Sequence, residues 1–146
     1  MNKISIIGAG MTGATAAHWL AERELADLVL VDVVEGMPQG KALDMLEAMP
    51  IIAKDVEIVG ANDYAATKDS DIIIITAGLA RKPGMSRDDL LTKNAEIVGA
   101  AATETLKYSP DAIFIVLTNP LDTMAYLTMK KTGLPRNDLP AQMRRA

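Results

Sequence analysis

The chain has 146 residues, with 15 lysines and arginines against 19 aspartates and glutamates, 49% hydrophobic and 3% aromatic residues, and no cysteine. This length fits one domain. The net charge of −4 argues against a nucleic-acid backbone as partner despite the local pairs Arg81-Lys82 and Arg144-Arg145, and the lack of thiols excludes disulfides and thiolate metal sites.

In chain order, Lys3-Ile-Ser-Ile-Ile7 reads as a buried strand, with no signal peptide before it. It is followed by the turn Gly8-Ala9-Gly10-Met11-Thr12-Gly13, an Ala-rich helix over about Met11 to Glu24, and a second strand, Leu28-Val-Leu-Val, ending in Asp32. Strand, glycine turn, helix, strand and terminal acid form the unit that grips a dinucleotide. Gly8 permits the tight turn, Gly10 lets the backbone approach a pyrophosphate, and Gly13 lets the helix pack close to the strand. The helix N-terminus favours the phosphates through its free N–H groups and its dipole. Asp32, 24 positions after Gly8, can accept the hydroxyls of an adenosine ribose and would repel a 2′-phosphate, and Val33 offers that phosphate no cation. NAD is therefore the expected cofactor. The lone histidine, His18, lies one to two turns into the helix beside Trp19, which directs it to a helix face or a subunit contact and away from a crevice at the strand ends.

The next helix spans Met37 to Met49, with Pro38 in its first turn and Pro50 just past its end. Ala42, Leu43, Met45, Leu46 and Met49 make an apolar face wide enough to cover a sheet and meet a second subunit, although core burial alone would account for it. The nine methionines read chiefly as flexible core filler. Val56 to Gly60 reads as a third, edge strand, flanked by Asp55 and carrying Glu57. Asp71 to Thr76 is apolar on both faces and so central. Past its carboxyl end, a Pro-Gly loop carries Arg81 and leads to Arg87, where an open α/β sheet binds its ligands. Ser86 and Asp89 have capping-box spacing for a helix running to about Tyr108. Ala112 to Thr118 is a fifth strand with Asn119-Pro120 at its carboxyl end, and Leu121 to Thr132 is helical with Gly133 as its stop.

Strands alternating with helices, joined by right-handed crossovers, give an α/β fold: a doubly wound parallel (Rossmann) sheet of order 3-2-1-4-5, with the cofactor across the switch between the first and fourth strands. No apolar run approaches the roughly 20 residues that span a bilayer, so a cytoplasmic protein without a membrane partner is expected.

From Thr76 to Leu91 the chain resembles the malate and lactate dehydrogenase family, and more closely the malate dehydrogenases. The likeness covers nearly the whole sequence. It rests on the glycine turn, Asp32, the run Gly78-Leu-Ala-Arg81-Lys-Pro-Gly-Met-Ser-Arg87-Asp-Asp-Leu, Asn94, and Leu117-Thr118-Asn119-Pro-Leu-Asp. The resemblance implies that Arg81 binds the distal carboxylate of malate or oxaloacetate, where lactate dehydrogenases carry glutamine. It further implies that Arg87 polarises the reacting carbonyl, that Asn119 contacts substrate, and that Asn94, Leu117, Thr118 and Asn119 contact the cofactor. Family members continue past Leu134-Pro135-Arg136 into a sixth strand and a substrate domain with the proton-exchanging histidine. Asp138 to Ala146 does not read like that strand, and His18 cannot substitute.

The expectation is thus a NAD-binding half of a malate dehydrogenase that binds cofactor and turns over malate poorly or not at all alone. Other readings are a half of a lactate-type 2-hydroxy acid dehydrogenase, and a scaffold that self-associates through an apolar edge at Ala112 to Thr118.

Overall fold

The structure, a computed structural model, describes residues 2–135; Arg136, the pair Arg144-Arg145 and the tail from Asp138 lie outside the described residues. The elements are β1 (Lys3–Ile7), α1 (Met11–Glu22), β2 (Asp27–Val31), α2 (Met37–Ala48), β3 (Ile58–Ala61), β4 (Ile72–Ile75), α3 (Arg87–Tyr108), β5 (Ile113–Val116) and α4 (Leu121–Thr132). The five strands form one sheet of order β3-β2-β1-β4-β5, parallel throughout. This is the doubly wound arrangement that the alternation of strands and helices implies.

The strand sequences explain the two-sided cover. Side chains alternate across a strand, and β4 consists of four isoleucines. Ile74 joins Ile6, Leu28, Leu30 and Ile58 on the face closed by Ala17 and Ala21 of α1 and Ala42 and Met45 of α2. Ile73 and Ile75 join Val29, Val31 and Phe114 on the face closed by Val98, Ala101 and Ala102 of α3 and Met124 of α4. At roughly 2 kcal/mol for each fully buried aliphatic side chain, a strand apolar on both faces is most stable in the interior of the sheet. Small alanines on the helices let them lie close to it.

Several boundaries differ from the sequence reading. The first helix ends at Glu22 rather than near Glu24, because Glu24 takes a left-handed conformation (φ 51°). The N–H of Leu25 then bonds the Leu20 carbonyl and that of Glu24 the Ala21 carbonyl, closing the helix by paired terminal bonds. The third strand runs Ile58–Ala61 rather than Val56 to Gly60, in register with Leu28 to Val31. At Gly60 a β-carbon would overlap the Pro38 backbone, so this edge strand accepts the first turn of α2 only as glycine. Pro50 stands just past the end of α2, as expected, inside a 3₁₀ turn, Met49–Ile52, that follows the helix and is closed by Ala53 at φ 55°. The apolar face of α2 divides: Ala42 and Met45 are buried, whereas Leu43 is 56% and Leu46 39% exposed, so core burial does not absorb all of it. The capping box at Ser86 and Asp89 is present in full, and Gly133 ends α4 at φ 70°.

A buried polar knot ties the amino ends of the strands. The hydroxyls of Ser5 and Ser70 are 2.7 Å apart, and those of Ser70 and Ser109 both donate to the Thr67 carbonyl, at 2.7 and 2.5 Å. The Lys3 ammonium donates to the carbonyls of Ala66 and Lys68. Among the described residues, no helix is long and apolar enough to cross a membrane.

Candidate functional site

The carboxyl ends of β1 and β4, where the connections leave in opposite directions, open into a crevice. Its floor is the glycine turn. Gly8 has φ 105°, a conformation open to glycine, and a β-carbon there would stand 2.7 Å from the Ala77 nitrogen. Its N–H bonds the Val31 carbonyl at 2.7 Å, and its carbonyl accepts from the Thr76 hydroxyl at 2.9 Å. Helix α1 then passes directly over the turn: a β-carbon on Gly13 would overlap the Gly8 carbonyl oxygen. Gly10 has open space where its β-carbon would be and supplies no side-chain cap to the first turn of α1. The N–H groups and positive dipole end of that helix are thus presented to an approaching anion.

Asp32, immediately after β2, faces this turn. Its carboxylate accepts from the N–H of Ala9 at 2.7 Å and of Val34 at 3.0 Å. A carboxylate offers about four lone-pair sites, so capacity remains for hydroxyl donors. The Lys41 ammonium from α2 donates to the Ala9 carbonyl at 2.6 Å. Ala9, fully buried, is therefore held on one side by an acid and on the other by a base. Asn62 donates to the carbonyls of Asp32 and Val34, at 2.7 and 3.0 Å, and fixes the approach to the acid. Asp32, Val34 and Asn62 border a cavity of about 390 Å³ that also touches Gly8, Gly10, Met37 and Tyr64. Burial, reinforced by the charges of Glu104 and Asp32, raises the Tyr64 phenol above its ordinary range and keeps it neutral.

A second cavity, about 360 Å³, lies on the other side of Thr76 and brings together Thr12, Arg81, Asn94, Leu117, Thr118 and Asn119. Thr76, Gly78 and Leu79 border both, so the two form one crevice across the switch point. Arg81 is exposed, and its Nε donates to the Met85 carbonyl at 3.1 Å, which bends the loop back on itself. Thr118 is buried and donates to the Ala77 carbonyl at 2.7 Å. Asn94, 1% exposed, bonds the backbone of Leu79 and Asn119.

Of the residues singled out in the sequence, Gly8, Gly10 and Asp32 meet in the first cavity, and Thr12, Arg81, Asn94, Leu117, Thr118 and Asn119 in the second. Ala9 and Gly13 lie beneath the turn, and Met11 is 83% exposed at its rim. Arg87, first residue of α3, is exposed and borders neither cavity. His18 is also exposed and outside both, edge-on to Trp19 at 6.0 Å. Sequence reasoning missed Lys41, Asn62, Tyr64 and Thr76. Asn62 and Thr76 follow strand ends, a rule applied to the arginine loop and equally available there; Lys41 carries no signal, since a helical lysine reads as a solvated face.

The residues present fit a dinucleotide: an uncapped helix N-terminus behind an unobstructed glycine, and a carboxylate on the far side. Residues 2–140 match the family model described as lactate/malate dehydrogenase, NAD binding domain. The chain is 61% identical over 134 residues to malate dehydrogenase of Desulforudis audaxviator, covering 92% of this chain and 43% of that protein. It is similar to the apo structure of malate dehydrogenase from Picrophilus torridus, with TM-score 0.91 and 48% identity over 94% of this chain and 44% of that one. It is similar too to the Archaeoglobus fulgidus malate dehydrogenase in complex with NADH, with TM-score 0.89 and 42% identity over 93% and 47%. The chain thus spans less than half the length of these relatives. With the glycine turn, the acid and the sheet order all in place, the chain belongs to the lactate/malate dehydrogenase family and carries that family's NAD-binding domain.

Proposed function

We propose that this domain binds NAD(H) and orients malate or oxaloacetate for hydride transfer between C2 of the substrate and the nicotinamide. The supporting observation is the second cavity, where a guanidinium, Arg81, and a carboxamide, Asn119, stand at the mouth of a dinucleotide crevice. The cofactor supplies the hydride chemistry. The chain supplies position: the α1 N-terminus for the pyrophosphate, Asp32 for the ribose, and Gly8 to Gly13 as the floor. Arg81 matches a distal carboxylate with paired hydrogen bonds and would be left unsatisfied by the methyl of pyruvate, which favours malate over lactate as substrate class. Arg87, first residue of α3, lies outside the cavity, and its proposed part, polarising the carbonyl, is taken up only when a second domain is supplied.

No histidine, aspartate or glutamate borders the second cavity among the described residues. A hydroxyl proton cannot move without an acid or base within hydrogen-bond reach, so the domain is read as a cofactor-binding half whose own turnover is slight or nil. Self-association belongs to the same proposal, because Leu43, Leu46 and Ile51 leave apolar surface on one side of the sheet. An acidic chain without cysteine fits a cytoplasmic enzyme.

The test is a titration of NADH into the purified chain, followed by nicotinamide fluorescence, with oxaloacetate added afterwards. Saturable enhancement without NADH consumption is expected. Steady consumption would mean that a proton donor lies within reach, and no enhancement would overturn the binding reading.

A further inference from the structure

We infer that Asn94 is a positioning residue: its buried amide couples the arginine loop to the Asn119 turn and sets the gap in which substrate and nicotinamide meet. The inference rests on the dehydrogenase reading above and assigns the amide a task different from direct contact with the cofactor. Two adjacent loops carry the groups of the second cavity, one leaving β4 and the other leaving β5. The last ladder bond between these chains runs from the Leu117 N–H to the Ile75 carbonyl at 2.9 Å, followed by the Thr118 hydroxyl on the Ala77 carbonyl. Beyond that point the chains part, and Asn94, reaching in from α3, bridges them.

Its bonds account for every amide hydrogen. Oδ1 accepts the Leu79 N–H at 2.8 Å, while Nδ2 donates to the Leu79 carbonyl at 3.3 Å and to the Asn119 carbonyl at 2.8 Å. The Leu79 N–H can only donate, so it fixes which end of the amide is oxygen. The side chain thus meets Leu79 as a neighbouring strand would, bonding both its N–H and its carbonyl, and spends its remaining hydrogen on the second loop. Packing leaves the clamp no slack: a β-carbon on Gly78 would stand 2.5 Å from the Thr118 methyl and 3.3 Å from Asn94 Oδ1. Arg81 lies two residues beyond Leu79, and the Asn119 side chain springs from the residue whose carbonyl is held. Burial at 1% exposure makes the arrangement strict, because an amide hydrogen lost there leaves a carbonyl without a partner.

The test is Asn94→Asp, almost unchanged in size, with NADH affinity and hydrogen exchange at the Leu79 amide followed against pH. Near pH 8 a carboxylate would confront the carbonyls of Leu79 and Asn119. The expected result is a folded chain by circular dichroism, with NADH affinity lowered roughly tenfold or more and faster exchange at Leu79. Desolvation raises the pKa of a buried carboxyl, so near about pH 5.5 the protonated side chain regains one donor. Affinity and protection should then partly return, with no matching change in the wild-type chain. A filler of space would show no such recovery. Asn94→Ser, neutral and smaller, should lose both properties at every pH, and keeps the test decisive if the aspartate variant does not fold.

Wild-type affinity in either folded variant overturns the inference. So does lost affinity with Leu79 still protected, which would make Asn94 a direct cofactor contact. Failure of the wild-type chain to bind NADH would overturn the proposed function instead, while the exchange measurement would still decide whether the clamp exists.

Discussion

Gly13 of α1 lies so close to Gly8 that a β-carbon on it would overlap the Gly8 carbonyl oxygen. Neither partner can yield cheaply, since one is a helix and the other a turn locked to Val31 and Thr76. Gly13→Ala is expected to destabilise the fold by about 3 kcal/mol, the upper range for overpacking. Gly10→Ala meets open space and should cost no more than about 1 kcal/mol, yet should weaken NADH because its methyl enters the path of the pyrophosphate. Denaturant unfolding and NADH titration of both variants separate the two roles; equal loss of stability would show that Gly10 is also structural.

Asp32 tethers the turn through Ala9 and Val34 as well as facing the crevice. Asp32→Ala should therefore weaken NADH binding by roughly 10- to 100-fold, combining a lost ribose acceptor with a loosened turn. NADPH should lose less, because removal of the carboxylate also removes its repulsion of the 2′-phosphate. An unchanged ratio of the two affinities would reject the ribose assignment.

Lys41 offers the complementary case. Its ammonium reaches the Ala9 carbonyl at 2.6 Å from the other side. Hydrogen bonds to charged groups contribute about 1.5–3 kcal/mol, and partial exposure puts this one at the lower end. Lys41→Met should lower stability by about 1–2 kcal/mol and weaken NADH and NADPH alike. A selective loss of NADPH would instead identify Lys41 as a phosphate contact.

Tyr64 gives a pH dependence. Burial first, then the Glu104 and Asp32 charges, raise its phenol above the ordinary value. The folded state holds that proton more tightly than the unfolded chain. Its contribution to stability is therefore complete below about pH 10, the unfolded value, and is lost as pH rises through the folded one. NADH affinity should fall in the same window, where a phenolate would share the cavity with Asp32, and Tyr64→Phe should abolish that alkaline loss. Titrations at about pH 9 and about pH 11 on both chains check it; an identical decline in the phenylalanine variant would assign the effect elsewhere.

In a full-length chain carrying this domain, Arg81→Gln should shift kcat/KM from oxaloacetate towards pyruvate by about 100-fold or more, as when a buried polar partner is mismatched. Parallel loss for both substrates would make Arg81 structural.

The sequence disclosed the features governed by local rules. Glycine spacing, the acid after β2, the isoleucine run of β4 and the Ser86–Asp89 cap each act within a few residues, and each stands in the structure as read. The positions it concealed depend on distant partners. Lys41 matters because α2 swings its ammonium over Ala9, 32 residues away, and Gly60 because Pro38 arrives above it. The split of the α2 face into buried Met45 and exposed Leu43 was hidden for a related reason: hydrophobic spacing records which residues avoid water, while the angle at which a helix meets the sheet decides which of them succeed.

The knot of Ser5, Thr67, Ser70 and Ser109 lies at the end of the sheet opposite the crevice. Anchorage and chemistry are thereby assigned to separate poles. The foot of the domain is cross-linked by hydroxyls that border neither cavity, while the lip is made of loops fastened to one another by single side chains. Changes of substrate or cofactor can then be explored by altering the lip, with the foot continuing to hold the strands in register.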